Sequence, residues 1–294
     1  MLQCASVRVY RREIYDDCSH SIASTVAGIG EVCTLKSVRK QGIARRLMMT
    51  ALCDGYAAIC KYSMLHAASW IWPLYHSLGY ENICMLWTSL SFPSFRTSLS
   101  DERLTFSSIC VKENVHTLHQ LYTAFSSRYF GPLKRSVNYF KSWIASESDR
   151  AYAIGADQEL VAYAIVGERY GTIKVKDFGL GQPYIDRVLS SEHGRQAVRQ
   201  SVLSLIFEGL THFSASQSHG ESTHSSSPEG RRLPNVEVPT ALVSFLGCSD
   251  VDGSYQMTAA PADEGWMIRS MSSEATLPES KREVLFLYWP IDHF

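Results

Sequence analysis

Residues 39–44 read Arg-Lys-Gln-Gly-Ile-Ala and lie between an extended apolar segment and an amphipathic helix, which we predict from Gly42 to about Tyr62. A glycine at position 42 lets the backbone approach a ligand without a Cβ in the way. The helix that follows offers N–H groups without intrahelical partners, and the positive end of its dipole favours an anion. The sequence therefore predicts a loop that holds a pyrophosphate, flanked by the cations of Arg39, Lys40, Arg45 and Arg46.

Composition narrows the classes of protein that this chain can represent. Its 294 residues suit two ordinary domains, and 45% hydrophobic residues with 19% charged residues supply a core. The formal net charge of −1 gives no support to nucleic-acid binding. No apolar run reaches the roughly 18 residues that a membrane span needs, and the first residues do not resemble a secretory signal. We therefore expect a cytoplasmic protein without nucleic-acid or membrane partners.

Cysteine and histidine spacing gives no indication of a metal site. The eight cysteines include no Cys-x-x-Cys pair, and several lie in apolar periodic segments, where a free thiol behaves as a small hydrophobic group. A reduced protein is therefore expected rather than a disulfide framework. His212, His219 and His224 lie in or beside a Ser-rich loop without nearby cysteines, and we interpret them as solvated side chains.

Alternating and helical apolar patterns divide the first hundred residues into a hairpin, a helix and further short elements. The predicted elements are strands at 6–15 and 24–35, the helix at 42–62, a strand at 63–68, a helix at 72–78 ended by Gly79, and a strand at 81–90. A break rich in Ser and Pro follows at 91–100. We place the domain boundary there, which gives domains of residues 1–98 and 99–294.

The remainder of the chain predicts a second α/β unit. Its expected elements are helices at 111–129, 137–145 and 195–210, and strands at 151–154, 160–168, 172–180, 241–245 and 283–288. Residues 214–232 are rich in Ser, His, Gly and Glu, and we expect a mobile insertion there. Asp177-Phe178-Gly179 is interpreted as the end of a strand, because no other kinase pattern accompanies it. The fold class is mixed α/β (α+β) with a mostly antiparallel sheet.

Three blocks in order resemble the GNAT N-acetyltransferase superfamily. They are Gly28-Ile29-Gly30-Glu31-Val32-Cys33-Thr34, the segment 39–47 that contains Arg-x-x-Gly-x-Ala, and Pro73-Leu74-Tyr75-His76-Ser77-Leu78-Gly79-Tyr80. Further segments at 135–143, 175–179, 265–269 and 289–294 are similar to tandem GNAT proteins of the Eis type. The resemblance covers nearly the whole chain and implies two GNAT-like units.

The chain departs from the pattern of the family in two respects. A GNAT domain begins with a strand, two helices and a further strand, whereas this sequence starts at the hairpin. We therefore expect an N-terminally incomplete first unit, from either a truncated sequence or a reduced member of the family. Arg-x-x-Gly-x-Ala does not recur after residue 100, so the second unit is expected to lack a cofactor loop of its own.

The resemblance implies roles for individual residues. The strand residues Val32, Cys33 and Thr34 would pair with the pantetheine arm of acetyl-CoA, and the Val32 N–H would polarise the thioester. The pyrophosphate would be held by Arg39, Lys40, Gln41, Gly42, Ile43, Ala44 and Arg45. Tyr75 would protonate the departing thiolate, since expulsion of sulfur needs an acid. The carboxylate of Phe294 would be the base, by similarity to Eis-type enzymes.

Each of these roles has a structural alternative. Tyr75 could be a packed aromatic side chain, and the Phe294 carboxylate an ordinary solvated terminus. His66 and His76 lie near the expected cleft, but a structural role is the default for both. The tryptophans are interpreted as core or cavity wall rather than as stacking platforms for bases.

The function that the resemblance implies is transfer of an acetyl group from acetyl-CoA to a primary amine, without a metal. The partners would be acetyl-CoA and an amine acceptor, and the sequence leaves a homo-oligomer open. An alternative is a catalytically inactive GNAT-like binding or scaffold protein, and a third is a general binder of CoA or nucleotides.

Overall fold

A computed structural model describes residues 4–16, 23–54, 57, 59–93, 95–97, 99, 102–147, 150–156, 159–169, 171–217, 234–249, 254–271, 287 and 289. Two sheets organise this part of the chain. The first has five strands in the order β1-β2-β3-β12-β4, and the second has seven in the order β11-β5-β10-β9-β8-β7-β6. Of the strand pairs in these sheets, only β2–β3 and β10–β9 are parallel. The expected mixed fold with mostly antiparallel strands is confirmed.

The five-stranded sheet is built around a long hairpin and one β-α-β unit. Its elements are β1 (Ala5–Tyr15), β2 (Ala23–Thr34), α1 (Ile43–Cys53), β3 (Tyr62–His66), α2 (Trp72–His76), β4 (Glu81–Asn82) and β12 (Trp266–Ser270). Met48 and Leu52 of α1 are buried against Ile29, Leu65 and Met267 of the sheet. The apolar spacing of α1 thus covers one face of this sheet, as the helical period predicts.

The seven-stranded sheet carries the larger helices. The strands are β5 (Met85–Ser91), β6 (Thr105–Ile109), β7 (Ala151–Ala156), β8 (Glu159–Arg169), β9 (Thr172–Leu180), β10 (Val236–Pro239) and β11 (Gln256–Asp263). The helices are α3 (Val115–Ser126), α4 (Val137–Tyr139), a π-helical turn (Phe140–Ile144), α5 (Ala145–Glu147), α6 (Gln182–Ser190), α7 (Glu192–Gln217) and α8 (Thr240–Leu246). Short 3-10 turns at Lys36–Val38 and Ser69–Ile71 complete the described elements.

The two sheets exchange strands. β5, which precedes residue 98, pairs with β10 and β11 of the second sheet. β12 comes from the end of the chain and inserts between β3 and β4 of the first sheet. Each sheet therefore contains chain from both sides of residue 98, and the division into domains 1–98 and 99–294 stays a prediction.

One core cluster spans both sheets. Val26 and Tyr62 of the first sheet belong to the same buried cluster as α3 and β7–β9. The ring of Tyr62 meets that of Phe130 edge to face, with centroids 5.8 Å apart. Backbone bonds reinforce this contact, since the Tyr15 N–H donates to Pro132 O at 2.9 Å and the Gly131 N–H donates to Tyr15 O at 3.0 Å.

The sequence predictions for one helix and one strand are wrong in detail. The helix expected at 42–62 ends at Cys53, because Tyr62 pairs with Val26 and begins β3. The strand expected at 241–245 is helix α8, whose run of apolar residues fits either element by pattern alone. Gly247, with φ +62°, ends that helix in a left-handed cap.

The first four residues of the insertion expected at 214–232 belong to a helix. Helix α7 continues through residues 214–217, where Phe213 is buried and the Arg150 guanidinium donates to its carbonyl at 3.3 Å. The rest of the expected insertion, and the strand expected at 283–288 apart from buried Leu287, lie outside the described residues.

A buried ion pair joins the connection after α3 to strand β9. Arg135 Nη1 donates to both oxygens of Asp177 at 3.0 and 2.9 Å, and both side chains have no solvent exposure. The Tyr163 hydroxyl donates to the same carboxylate at 2.8 Å, and the guanidinium lies 3.9 Å from the centroid of the Tyr122 ring. The Asp177-Phe178-Gly179 segment therefore lies in a strand, as expected, and its carboxylate has a structural partner.

Replacement of Arg135 should destabilise the fold strongly. Arg135→Met removes the guanidinium and leaves a carboxylate in the core, which costs about 3–5 kcal/mol of unfolding free energy in buried pairs. Urea denaturation followed by circular dichroism measures the change.

The neighbouring Lys134→Met variant is the matched control. Lys134 lies 3.5 Å from Glu13 with both side chains 48% exposed, so its loss should cost less than about 1 kcal/mol. Equal losses in the two variants would contradict this account of the buried pair.

Candidate active site

Strands β2 and β3 separate after a short parallel contact. Residues 26–28 pair with residues 62–64, and neither strand pairs with the other beyond Gly28 and Met64. β2 nevertheless continues to Thr34 and β3 to His66. The two strands therefore form the sides of a V, and one edge of residues 29–34 faces the opening.

A bulge redirects β2 inside this opening. The hairpin loses register between Ser6 and Arg8, where Glu31 and Val32 stand opposite a single residue of β1. Glu31 has φ +52°, a left-handed conformation that non-glycine residues rarely adopt. The Arg8 guanidinium lies 2.9 Å from its carboxylate, and the Tyr10 hydroxyl donates to the same oxygen at 3.2 Å. The bulge therefore changes the direction of the backbone groups around Val32.

The loop at residues 39–44 brings the N-terminus of α1 to the same opening. Lys40 and Gly42 have φ +63° and +72°, and Gly42 occupies the N-cap of the helix. The first backbone hydrogen bond of α1 runs from the Arg46 N–H to Gly42 O at 3.0 Å. The N–H groups of residues 43–45 come before it, in the first turn, where a helix offers its amides no acceptor of its own. A Cβ placed on Gly42 would meet no atom within 4 Å. The space in front of this helix end is open.

Positive charge surrounds that helix end. The side chains of Arg39, Lys40 and Arg45 are exposed, and none forms an ion pair with a described residue. Arg39 Nε donates to Thr34 O at 3.0 Å, which holds the loop against the end of β2. The helix dipole and these cations favour an anion at the same place.

A cleft of 910 Å³ connects these features. Of the residues predicted from sequence, ten line it: Val32, Cys33, Thr34, Arg39, Lys40, Gly42, Ile43, Ala44, Arg45 and Tyr75. Gln41 lies in the loop with an exposed side chain and does not line the cleft. Phe294, the expected base, lies outside the described residues.

Tyr75 lies on α2 at the wall of the cleft and is 7% exposed. Its ring packs edge to face on Tyr80, with centroids 5.9 Å apart. Burial raises the pKa of Tyr75 above its ordinary value, so the phenol keeps its proton beyond neutral pH. The Tyr80 hydroxyl, by contrast, is hydrogen-bonded to Ser63 Oγ at 2.6 Å.

The contact between His66 and Asp263 could not be expected from the sequence. His66 ends β3 and lines the cleft, and its Nε2 lies 2.8 Å from Asp263 Oδ1 at the end of β11. The two residues are 197 positions apart, so no spacing rule could have paired them. Burial would raise the pKa of Asp263, but the His66 hydrogen bond and charge, with the Gly265 N–H, hold it below its ordinary value.

Neither a metal site nor a membrane-spanning helix is found within the described ranges. Within them, no group of three or more His, Cys, Asp or Glu side chains is arranged to hold a metal ion. Among the helices of the same residues, none combines the length and apolar character that a membrane crossing requires.

Comparison with known proteins gives matches at the level of structure alone. No family model matches the chain, and no curated protein matches it. A GCN5-related N-acetyltransferase from Kribbella flavida superimposes with a TM-score of 0.61 and 16% identity, over 92% of this chain and 58% of that one. Another from Anabaena variabilis gives a TM-score of 0.58 at 17% identity, over 92% and 60% of the two chains.

Eis1 from Mycobacterium abscessus superimposes with a TM-score of 0.56 at 12% identity, over 94% of this chain and 64% of that one. This chain thus spans about 60% of the length of the first structures that it matches. Identities this low bear on the fold and not on the reaction. The protein has the GCN5-related N-acetyltransferase fold in its Eis-like form.

Proposed function

We propose that this protein is an acetyl-CoA-dependent N-acetyltransferase that acts on a primary amine. The proposal is carried by one observation, the separation of β2 from β3 into a cleft that leads to the N-terminus of α1. An extended arm can pair with the edge of β2 while its pyrophosphate meets the helix end. Few other ligands combine a strand-like portion with a diphosphate.

The contacts proposed for acetyl-CoA follow from this geometry. The pantetheine arm would pair with the backbone of residues 32–34, whose edge faces the opening. The pyrophosphate would accept hydrogen bonds from the amides of residues 41–44, with Arg39, Lys40 and Arg45 around it. Charge-assisted bonds of this kind are stronger than neutral ones, which supports tight binding of a polyphosphate.

The chemistry would need an acid near the sulfur. When the amine nitrogen attacks the thioester carbon, the C–S bond breaks and the thiolate must gain a proton. Tyr75 is the buried phenol on the cleft wall, and its raised pKa keeps the proton available. The Val32 N–H beside the bulge would stabilise the developing oxyanion.

The acceptor would lie against the apolar side chains of the cleft wall. Trp70 is 79% exposed and lines the cleft together with Ile71 and Leu74. An exposed indole suits an amine, because a cation is attracted to the face of the ring. We propose that the second unit, within residues 99–294, contributes Asp263 to this part of the cleft and binds no acetyl-CoA itself.

A cytoplasmic location is part of the same proposal. None of the seven cysteines within the described residues is in a disulfide, and three of them are at intermediate or buried positions. Cysteines outside disulfides fit a reducing compartment. A homo-oligomer stays a prediction.

Gly42→Glu should abolish binding of acetyl-CoA. The new side chain would enter the open space at the helix end and bring a negative charge to the proposed pyrophosphate position. We expect the Kd to rise by at least about 100-fold, equivalent to the loss of one or two charge-assisted bonds. Isothermal titration calorimetry with acetyl-CoA measures this change.

Gly171→Glu is the matched control for backbone strain. Gly171 has φ +77° and, like Gly42, no atom within 4 Å of an added Cβ, but it lies in the β8–β9 turn. The Kd of the Gly171→Glu variant for acetyl-CoA should stay within about twofold of the wild-type value, since the proposed phosphate contacts are unchanged.

A wild-type protein that does not bind acetyl-CoA would refute the proposed function and the scaffold alternative together.

Tyr75→Phe should lower turnover more than binding. Loss of a general acid costs about 100-fold or more in kcat, while the ring itself is retained. CoA release is followed with a thiol reagent for spermidine, an aminoglycoside and a lysine ester, and the Kd for acetyl-CoA is measured beside it.

Tyr80→Phe serves as the comparison, because its hydroxyl bonds Ser63 and does not line the cleft. It should lose about 1 kcal/mol of stability and little turnover. Binding of acetyl-CoA by the wild type without CoA release on any amine would favour the inactive scaffold.

A further inference from the structure

His66 is held in one orientation by groups from a distant part of the chain. Its Nε2 is 2.8 Å from Asp263 Oδ1, and the Gly265 N–H donates to the same oxygen at 3.1 Å. The ring of Trp266 meets the imidazole edge to face, with centroids 5.1 Å apart. The pairing of His66 with Trp266 in the β3–β12 register fixes the backbone beneath these contacts.

The turn between β11 and β12 packs closely against the imidazole of His66. A Cβ on Gly265 would lie 2.5 Å from Nε2 and 2.7 Å from Cε1 of His66, so only a glycine permits the approach. The Ala67 N–H donates to Gly265 O at 2.9 Å, so the residue after His66 is also bonded to this turn. The imidazole is therefore placed by close packing as well as by a hydrogen bond, although its side chain is 46% exposed.

Hydrogen bonding to Asp263 also defines the tautomer. A carboxylate accepts hydrogen bonds, so Nε2 carries the hydrogen in the neutral ring and Nδ1 carries the lone pair. His66 lines the same cleft as Tyr75 and Trp70. A fixed proton acceptor thus stands at the end of the cleft where an acceptor amine would enter.

The reaction needs such a group. An alkyl ammonium has a pKa of about 10.4, so at pH 7 only about one molecule in 2,500 has the lone pair that attack requires. A base in the site removes that limitation.

We propose that His66, in place of the Phe294 carboxylate that the resemblance implies, is the catalytic base, accepting a proton from the acceptor's ammonium group at Nδ1, and that Asp263 is its positioning residue. This inference rests on the proposed function. The ammonium proton passes to Nδ1 and leaves through the exposed side of the ring. The neutral nitrogen then forms the N–C bond, the C–S bond breaks, and Tyr75 protonates the sulfur. The second proton that the nitrogen loses on becoming an amide returns to Tyr75 through solvent.

Other charged groups near His66 are less suited to this role. Glu31 lines the cleft from β2, but its carboxylate is engaged by the Arg8 guanidinium and the Tyr10 hydroxyl. Glu264 lies in the same turn as Asp263, and the charge of Arg169 acts on Asp263 from the end of β8. Tyr75 on α2 keeps its proton over the neutral range because burial raises its pKa.

The test compares His66→Gln with the wild type from pH 7 to pH 10, using the panel amine that gives the fastest CoA release. At pH 7 we expect kcat/KM to fall by about 100-fold. The ratio of wild type to variant should shrink to less than about threefold at pH 10, because solution itself then deprotonates the alkyl ammonium. The Kd for acetyl-CoA should not change.

Two variants separate the base from its positioning residue and from structural effects. Asp263→Asn should lower kcat/KM by about tenfold at pH 7, with the same recovery at high pH, because the tautomer is no longer fixed. His76→Gln is the matched control, since His76 also bonds through Nε2, to Asn82 Oδ1 at 2.6 Å, but does not line the cleft. It should behave as the wild type.

The possible failures can be told apart. A His66→Gln variant as active as the wild type, or a loss that is constant with pH, overturns the base assignment while the acetyltransferase function stands. A pH-dependent loss in Glu31→Gln instead would move the role to Glu31 and overturn it as well. A wild type that releases no CoA with any panel amine refutes the proposed function itself, and this inference with it.

Discussion

The short parallel contact between β2 and β3 is the constraint on which the site depends. Residues 26–28 pair with residues 62–64, and beyond them the strands diverge. Unpaired backbone groups on a strand edge need another partner, whether water, chain or ligand. Beyond Gly28 no strand of the described residues pairs with this edge of β2, although Arg39 Nε donates to Thr34 O, and the edge runs along a cleft that reaches the N-terminus of α1. The divergence of the two strands creates the cleft. The bulge at Glu31 and the left-handed Gly42 then adjust the direction of the backbone that lines it.

The insertion of β12 joins this site to the far end of the chain. β12 pairs with both β3 and β4, so the five-stranded sheet is complete only when residues 266–270 are in place. The same register places Trp266 opposite His66 and carries the β11–β12 turn to the cleft. A fragment ending at residue 98 would lack this strand and also Asp263. The part of the cleft proposed for acetyl-CoA is thus local in sequence, whereas the part proposed for the acceptor depends on contacts across nearly the whole chain.

This difference explains how much could be predicted from sequence. The loop at 39–44 and helix α1 were predictable because a left-handed glycine, an amphipathic period and flanking cations are all local signals. Helix α8 was not, since its apolar run at 241–245 fits a buried strand equally well and only packing decides. The end of α1 was set by the pairing of Tyr62 with Val26, a tertiary effect that overrides helical period. Asp263 could not be found at all, because its partner is 197 residues away.

The His66–Asp263 contact couples the proposed chemistry to the stability of the fold. The pKa of Asp263 is lowered in the folded chain, in spite of burial, by His66 and the Gly265 N–H. A carboxylate of this kind stabilises the fold above its unfolded pKa, and the contribution is lost as the pH falls through the folded value. When Asp263 is protonated at low pH, its carboxylate no longer accepts hydrogen bonds as a charged group from the Gly265 N–H and from His66. The loop at 39–44 presents backbone amides, which do not titrate. Acid should therefore weaken the part of the cleft proposed for the acceptor before it weakens the part proposed for acetyl-CoA.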